Sequence, residues 1–263
     1  MITTMPTVTD VVVPVLEELG RKLLGWRSDA AARSLHSRPD FKTEADRRAD
    51  AFIKERLAAL FPGVPVWSEE DATHGDARPL AYWLIDPIDG TASWYDGFPG
   101  FVTQAALIVD GWPQAGVIHA PATKQTWTAR AGDGAWRDGR RLPRLVPQDR
   151  CIVVDNTPAP HGVAAGLTRL LPATGYRESG SLGLKATLVG DGTVDLFVKR
   201  VTVRDWDMAP VAVLLAETGG SLLRPDGRPF TFEGPMEKPG VVVARDAELG
   251  ARAVAALRGL PAT

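Results

Sequence analysis

The sequence predicts an α/β fold in two parts, an α+β part over residues 1–146 and a smaller α/β part over residues 147–263. Two segments with helical spacing of apolar residues open the chain, and a run of alternating apolar strands follows them. A stretch rich in proline and arginine, RRLPRLVPQ, then interrupts this pattern and ends at Gln148. Beyond it, short strands alternate with helices, which is typical of an α/β unit.

The first part begins with two predicted helices. Apolar residues recur at helical spacing over Thr9–Trp26, whereas the polar, arginine-rich segment from Ser28 to Asp40 lacks periodicity and is predicted to be a loop. The second helix starts at Thr43, because its hydroxyl group is followed three residues later by the carboxylate of Asp46, a capping arrangement. The sequence Phe-Pro-Gly after Leu60 ends this helix.

A predicted antiparallel sheet follows these helices. Tyr82–Ile85 is a short, aromatic and β-branched run, so we expect a buried strand that stops at the turn beginning with Asp86. The other predicted strands of this part are residues 64–67, 101–109, 115–120, 125–131 and 134–136.

The second part is predicted to alternate strands and helices. The helix after the strand at residues 194–198 is expected to begin near Asp207, because Pro210 is tolerated within a first turn. It is expected to run to Glu217 and to end at Thr218-Gly219-Gly220. The other predicted elements are strands at 151–155 and 241–244 and helices at 161–171, 181–189 and 246–258.

The composition is that of a globular enzyme. The 30 basic and 32 acidic residues nearly balance and form no basic block, which argues against a nucleic-acid polymer as partner. The single cysteine, Cys151, rules out an intramolecular disulfide. No signal peptide or membrane-spanning run is evident, so the sequence predicts a soluble, cytoplasmic protein without a membrane partner.

The segment DPIDGT places two carboxylates, those of Asp86 and Asp89, on a turn at the end of the predicted central strand. Thr91 follows as a candidate N-cap of a short helix whose free N–H groups can hold an anion. Aspartate, proline and glycine also form ordinary turns, so this segment alone leaves a structural and a functional interpretation open.

Acidic residues recur at the ends of predicted elements, at Glu69, Asp86, Asp89 and Asp207. Hard cations such as Mg²⁺ prefer oxygen ligands, and the chain lacks the cysteine and histidine spacing of a zinc site. An aspartate at a helix start commonly caps the helix, so capping is the favoured interpretation of Asp207 when this residue is taken alone.

Taken together, four motifs resemble the inositol monophosphatase superfamily, a group of Mg²⁺-dependent, lithium-sensitive phosphomonoesterases. They are SEED from Ser68, DPIDGT from Asp86, WDMAP from Trp206 and ETGG from Glu217. The resemblance extends from the Thr43 helix to the C-terminus. It implies a layered α-β-α-β-α sandwich of the inositol monophosphatase and fructose-1,6-bisphosphatase type, and a homodimer.

The resemblance also implies roles for individual residues. Glu69, Asp86 and the carbonyl of Ile88 would hold one Mg²⁺, and Asp86, Asp89 and Asp207 a second, in a two-metal scheme that also admits a third ion or Mn²⁺. The residues implied to act in catalysis are Glu69 together with Asp46 and Thr91, which would orient the attacking water.

Substrate contacts are predicted at several positions. Gly90 and Thr91 would offer backbone N–H groups to the phosphate, beside Asp89, and the step from Gly180 to Ser181 would contact the substrate, although a Gly-Ser helix start is an equal alternative. Inositol-specific members carry an acidic residue shortly before the WD motif, whereas this chain has the basic pair Lys199 and Arg200. A basic pair prefers an anion to a polyol, although both side chains can also face solvent.

The sequence therefore predicts a metal-dependent phosphatase that acts on a small phosphorylated metabolite, such as an inositol, sugar or nucleotide phosphate. A 3′(2′),5′-bisphosphate nucleotidase is the alternative within the same enzyme class, and both the segment from Gly180 to Lys185 and the basic pair Lys199 and Arg200 favour it. An inactive protein that binds phosphorylated metabolites is the alternative from another class.

Overall fold

The computed structural model describes residues 7–37, 41–74 and 77–261. Its helices are α1 (Val8–Trp26), α2 (Glu44–Leu60), α3 (Thr91–Tyr95), α4 (Gly162–Leu170), α5 (Leu182–Gly190), α6 (Asp205–Thr218) and α7 (Ala247–Leu257). None of these helices combines the length and the apolar character that a membrane span requires.

The strands of the first half are β1 (Leu35–Ser37), β2 (Lys42–Thr43), β3 (Val66–Ser68), β4 (Ala81–Asp89), β5 (Val102–Val109), β6 (Trp112–Ala120), β7 (Gln125–Arg130), β8 (Gly134–Arg137) and β9 (Arg140–Arg141). Those of the second half are β10 (Ile152–Asp155), β11 (Gly175–Glu178), β12 (Leu196–Lys199), β13 (Val203–Arg204), β14 (Ser221–Leu223), β15 (Glu237–Lys238) and β16 (Val241–Ala244).

Two large sheets form the β layers. Strands β3 to β9 lie in chain order in a seven-stranded sheet, and a five-stranded sheet has the order β11-β10-β12-β16-β14. The two smaller sheets pair β1 with β2 and β13 with β15. The first sheet is antiparallel except for the parallel pair of β3 and β4, which the sequence argument missed.

Helices alternate with these sheets in five layers, so the predicted α/β class and layer order are confirmed. Helices α1 and α2 cover one face of the seven-stranded sheet, and one buried cluster that includes Leu16 and Ile53 fills this interface. Helices α5 and α6 lie between the two sheets over the largest cluster. Helices α4 and α7 cover the outer face of the second sheet over a third cluster.

The largest cluster joins residues of both halves, for example Leu84 and Ile118 with Phe197 and Val213. The segment between β9 and β10 contains neither helix nor strand. A division into two domains near residue 146 stays a prediction.

Three local predictions need correction. The segment from Ser28 to Asp40 contains the short strand β1, and its last three residues lie outside the described part. Strand β4 does not stop before Asp86 but continues to Asp89. Helix α6 begins at Asp205, two residues earlier than predicted, so Pro210 lies beyond the first turn.

Pro210 is tolerated there because a side chain replaces the hydrogen bond that it cannot make. A proline has no N–H, so the carbonyl four residues earlier, that of Trp206, loses its helical donor. The Nε2 of Gln104 on β5 donates to the Trp206 carbonyl at 3.1 Å instead. The rule that places proline in the first turn failed because it considers only donors within the helix.

Candidate active site

A cavity of about 520 Å³ lies between the two halves of the chain, and all predicted site residues except Asp46 and Arg200 line it. From the first half they are Glu69, Asp86, Ile88, Asp89, Gly90 and Thr91, and from the second half Gly180, Ser181, Lys199 and Asp207.

A β-bulge on strand β4 aims two carboxylates into this cavity. Asp86 pairs with Gln104 and Asp89 with Val102, so two residues of β4 oppose the single residue Thr103 of β5. In a regular strand, residues three positions apart face opposite sides of the sheet, whereas one extra residue restores them to the same side. The bulge also accommodates Pro87, because that segment lies beyond the end of the pairing with β3.

Asp207 completes the carboxylate cluster from the first turn of α6. Asp207 is not the N-cap of α6, which is Arg204, but its Oδ2 accepts the backbone N–H of Arg204 at 2.7 Å and so closes a capping box from the third position of the helix. One carboxylate oxygen each of Asp86, Asp89 and Asp207 also lie within 4.8 Å of one another. The structural and the functional interpretation of Asp207 are therefore compatible, since a carboxylate has two oxygens.

Burial and mutual repulsion disfavour negative charge in this cluster. Burial, followed by the charge of Glu69, raises the pKa of Asp86 well above its usual range, and burial with the charge of Asp89 does the same for Asp207. Burial is also the main cause that raises the pKa of Glu69 to about 7, although Lys42 opposes it.

Asp86 is the group that most clearly lacks a counterpart. It is 1% exposed, and neither of its carboxylate oxygens has a hydrogen-bond partner among the described residues. A buried carboxylate without partners is costly, and an all-oxygen donor set suits a hard cation. The residues present therefore fit a divalent cation such as Mg²⁺.

Asp46 and Thr91 form a hydrogen-bonded chain beside the cluster. The Thr91 hydroxyl lies 2.8 Å from Asp46 Oδ1 and 3.1 Å from the Ile88 carbonyl, to both of which it can donate. Asp46 Oδ2 accepts the backbone N–H and the hydroxyl of Thr43 at 2.8 and 2.6 Å. Thr91 is the first residue of α3, and Gly90 is its N-cap, so the predicted capping role of Thr91 is wrong.

Burial raises the pKa of Asp46, which makes its carboxylate a stronger base than an exposed aspartate. The hydrogen bond from the Thr91 hydroxyl to Asp46 Oδ1 is a path along which Thr91 can pass on its proton while it accepts another one.

Asp89 ties the first half of the site to helix α5. Its carboxylate accepts the backbone N–H groups of Leu182 at 3.3 Å and Gly183 at 2.6 Å, at the start of that helix. Gly183 must be small, because a Cβ there would lie 2.5 Å from Gln104 Oε1 and 2.7 Å from Asp89 Oδ2.

The segment of Gly180 and Ser181 packs closely against Gly90 and Gly100. Gly90 has a φ of +90°, and a Cβ on it would lie 2.8 Å from the Cβ of Ser181. A Cβ on Gly180 would lie 1.9 Å from the carbonyl oxygen of Gly100, which accepts the Ser181 N–H at 2.7 Å. The Ser181 hydroxyl caps α5 through the N–H of Leu184, which agrees with the predicted helix start.

The predicted basic pair divides between two places. Lys199 lines the cavity, and its Nζ donates to Asp155 at 2.9 Å and to Asn156 at 3.2 Å. Arg200 does not reach the site, because its guanidinium donates to the carbonyls of Leu260 and Pro261. Lys199 is the last residue of β12, whereas Arg200 lies beyond the end of the strand, and the two side chains point to different places.

Several residues near the site were not assigned from the sequence. Lys185 is 2% exposed and lies 3.5 Å from Asp155, and Lys42 Nζ donates to the Glu69 carbonyl at 3.2 Å and lies 3.0 Å from Glu70 Oε1. Gln104 is fully buried. In the sequence it is a polar residue within a largely apolar strand, and this was the one signal that could have identified it.

The comparisons with known proteins agree on one family. Residues 6–261 match the model of the inositol monophosphatase family. The chain is 36% identical over 204 residues to a 3′(2′),5′-bisphosphate nucleotidase of Aggregatibacter actinomycetemcomitans, which covers 72% of this chain and 74% of that protein. It is 33% identical over 189 residues to a fructose-1,6-bisphosphatase/inositol-1-monophosphatase of Thermotoga maritima, covering 69% and 70% of the two chains.

Solved structures give the same result for the fold. An IMPase of Thermotoga maritima superposes with a TM-score of 0.81 at 25% identity, covering 95% of this chain and 96% of that one. An extragenic suppressor protein from Bartonella henselae also gives a TM-score of 0.81 at 25% identity, with coverage of 95% and 98%.

Proposed function

The chain belongs to the inositol monophosphatase family and is a phosphatase of that family, and from this premise we propose that it hydrolyses a phosphate monoester of a small metabolite with the help of bound Mg²⁺. The observation that carries the proposal is Asp86, whose two buried oxygens lack partners among the described residues beside Asp89 and Asp207.

The proposed metal ligands are oxygen atoms of carboxylates and of one backbone carbonyl. Glu69, Asp86 and the carbonyl of Ile88 would hold one ion, and Asp86, Asp89 and Asp207 a second, with a third ion or Mn²⁺ as variations. When bound, such cations would stabilise negative charge on phosphate oxygens and lower the pKa of water.

The protein's own residues would direct the proton and the phosphate. Thr91 Oγ1 would accept a proton from the attacking water while its own proton passes to Asp46 Oδ1. The backbone N–H groups of Gly90 and Thr91, beside Ser181, would position the phosphate. No covalent intermediate is needed, because water attacks the phosphorus directly.

Phosphate release from a panel of inositol, sugar and nucleotide phosphates tests this function. We expect turnover to require Mg²⁺ or Mn²⁺, to disappear in EDTA and to return when metal is added. We also expect lithium to inhibit it. Unchanged turnover in EDTA would contradict the metal-dependent mechanism, whereas insensitivity to lithium alone would leave it standing.

A 3′(2′),5′-bisphosphate nucleotidase is the second candidate, and the cluster of Lys185, Lys199 and Asp155 favours it. Both ammonium groups lie near the carboxylate of Asp155 at the cavity wall, and the charge of Asp89 also acts on Lys185. Burial, followed by the charge of Lys199, lowers the pKa of Lys185 to about 8, so it is still mostly protonated at neutral pH. A second phosphate group of a substrate would find two ammonium groups here that can donate hydrogen bonds to it.

The structure also provides a matched control for this candidate. A bisphosphate should be preferred over its matched monophosphate, and Lys199→Met should reduce that preference roughly 10- to 150-fold, the effect of losing a charge-assisted hydrogen bond of about 1.5–3 kcal/mol. Arg200→Met removes the neighbouring charge that points away from the cavity and should leave the preference unchanged. Equal rates on both substrates in the wild type would rule out the nucleotidase.

A homodimeric assembly and a cytoplasmic location stay proposals from the sequence and the family. Light scattering of the purified protein tests the first of these.

A further inference from the structure

Gln104 occupies a central position beneath the carboxylate cluster. It is fully buried on strand β5 and is the direct cross-strand neighbour of Asp86. Its amide also packs against Gly183 at the start of α5, whose N–H donates to Asp89. The side chain thus contacts, or lies directly beside, three of the elements that build the site.

The hydrogen bond from Gln104 to helix α6 exists because Pro210 leaves an acceptor free. The carbonyl of Trp206 precedes Asp207 directly, and the proline four residues later cannot donate to it. Gln104 Nε2 does so at 3.1 Å. The orientation of the amide follows, since the opposite orientation would place two oxygens against each other.

We propose that Gln104 is a positioning residue for the carboxylate cluster: its amide takes the place of the missing Pro210 N–H and so fixes the first turn of α6, with Asp207, relative to Asp86 and Asp89. The inference rests on the proposed metal-dependent function. It assigns to Gln104 no contact with the substrate or with a cation.

The pairing of Gln104 with Pro210 provides a rescue experiment. Gln104→Met keeps the length of the side chain but removes the donor, and groups that orient metal ligands typically change metal affinity about 10- to 100-fold. We expect Mn²⁺ binding, measured by isothermal titration calorimetry without substrate, to weaken by that factor. Pro210→Ala restores a backbone N–H opposite the Trp206 carbonyl, so the double variant should regain most of the affinity.

Two further variants separate this role from simple stabilisation of the core. Pro210→Ala alone should bind Mn²⁺ like the wild type. Thr103→Val changes the buried polar neighbour of Gln104 on the opposite face of β5 and should also leave Mn²⁺ binding unchanged. If Gln104→Met does not fold, Gln104→Asn, which withdraws the amide by one methylene, serves in the same comparison.

The outcomes distinguish the two proposals. Wild-type affinity in the Gln104 variants, or weakened affinity that Pro210→Ala does not restore, would overturn the positioning role alone. A wild-type protein that binds no Mn²⁺ would overturn the metal-dependent function and this inference with it.

Discussion

Asp205 and Asp207 lie two residues apart in the first turn of α6, yet their surroundings differ completely. Asp205 is fully buried, accepts a hydrogen bond from Arg78 at 2.5 Å and lies 3.4 Å from the ammonium group of Lys238. Asp207 is nearly as buried but faces the carboxylates of Asp86 and Asp89.

The pKa values follow from this difference. Burial raises the pKa of Asp205 only to about 6, because Arg78 and Lys238 oppose it, whereas burial and the charge of Asp89 raise the pKa of Asp207 well above its usual range. A buried carboxylate that is paired with cationic side chains of the same chain has a structural role. The charge of Arg204 opposes burial and repulsion at Asp207 but does not outweigh them, so an added cation would stabilise this carboxylate. The two residues should therefore respond to substitution in opposite ways.

The largest expected effect is the loss of turnover in Asp207→Asn. Asparagine retains an oxygen that can accept the Arg204 N–H but removes the charge, so we expect turnover to fall on the order of 10³-fold or more. The melting temperature of the metal-free protein should stay level or rise, because one repelling charge is gone. Steady-state kinetics and thermal unfolding in EDTA measure the two effects, and a large loss of metal-free stability would contradict the distinction.

Asp205→Asn should produce the opposite pattern. It leaves Arg78 and Lys238 without their buried partner, and breaking such a pair costs roughly 3–5 kcal/mol of unfolding free energy. Denaturant unfolding measures this loss, while turnover per folded molecule at saturating Mg²⁺ should change only a few-fold. A loss of turnover as large as that of Asp207→Asn, in a folded protein, would erase the contrast.

The smallest expected effect concerns pH. The pKa of Glu69 in the folded protein, about 7, lies above its usual value of 4.5, so its contribution to stability is present below pH 4.5 and is lost as pH rises through 7. The low pKa of His119, about 4, has the opposite effect between pH 4 and 6.5, because the buried ring must stay neutral. His119 contributes to the melting temperature both with and without Mg²⁺, so its contribution drops out of the difference between the two.

That difference should be near zero at pH 4.5 and grow toward pH 8 by a few degrees, at about 2–4 °C per kcal/mol for a chain of this length. Differential scanning fluorimetry across this range in EDTA and in Mg²⁺ measures it. A difference that is independent of pH would argue that these carboxylates are not where the cation binds.

Much of the fold could be predicted because most elements carry their own signals. Helix α2 begins where the Thr43 capping arrangement places it, and α6 runs to Thr218 with Gly219 as its C-cap, where the two glycines predicted its end. The bulge in β4 could not be predicted, because it depends on how Pro87 fits against a neighbouring strand. The start of α6 was misplaced for a similar reason, since its compensating donor, Gln104, is far away in the sequence.

As with the fold, part of the candidate site could be predicted from the sequence and part could not. The motifs gave the carboxylates Glu69, Asp86, Asp89 and Asp207, and all of them line one cavity. The side-chain directions of Lys199 and Arg200 could not be predicted, because they depend on where β12 ends, after Lys199, and on how the chain continues from there. The role of Lys185 depends on its contact with Asp155, which only the folded chain brings about.

The contact between Gly100 and Gly180 also has a consequence for motion. Backbone atoms from the two halves touch at the cavity wall without intervening side chains, and the Ser181 N–H bridges them. Contacts between long side chains would allow the two walls to move apart more easily than this close backbone contact does. We therefore expect the entropy cost of assembling the walls to fall on folding rather than on substrate binding. The Ser181 amide should then exchange its hydrogen as slowly as the core strands do, with or without substrate.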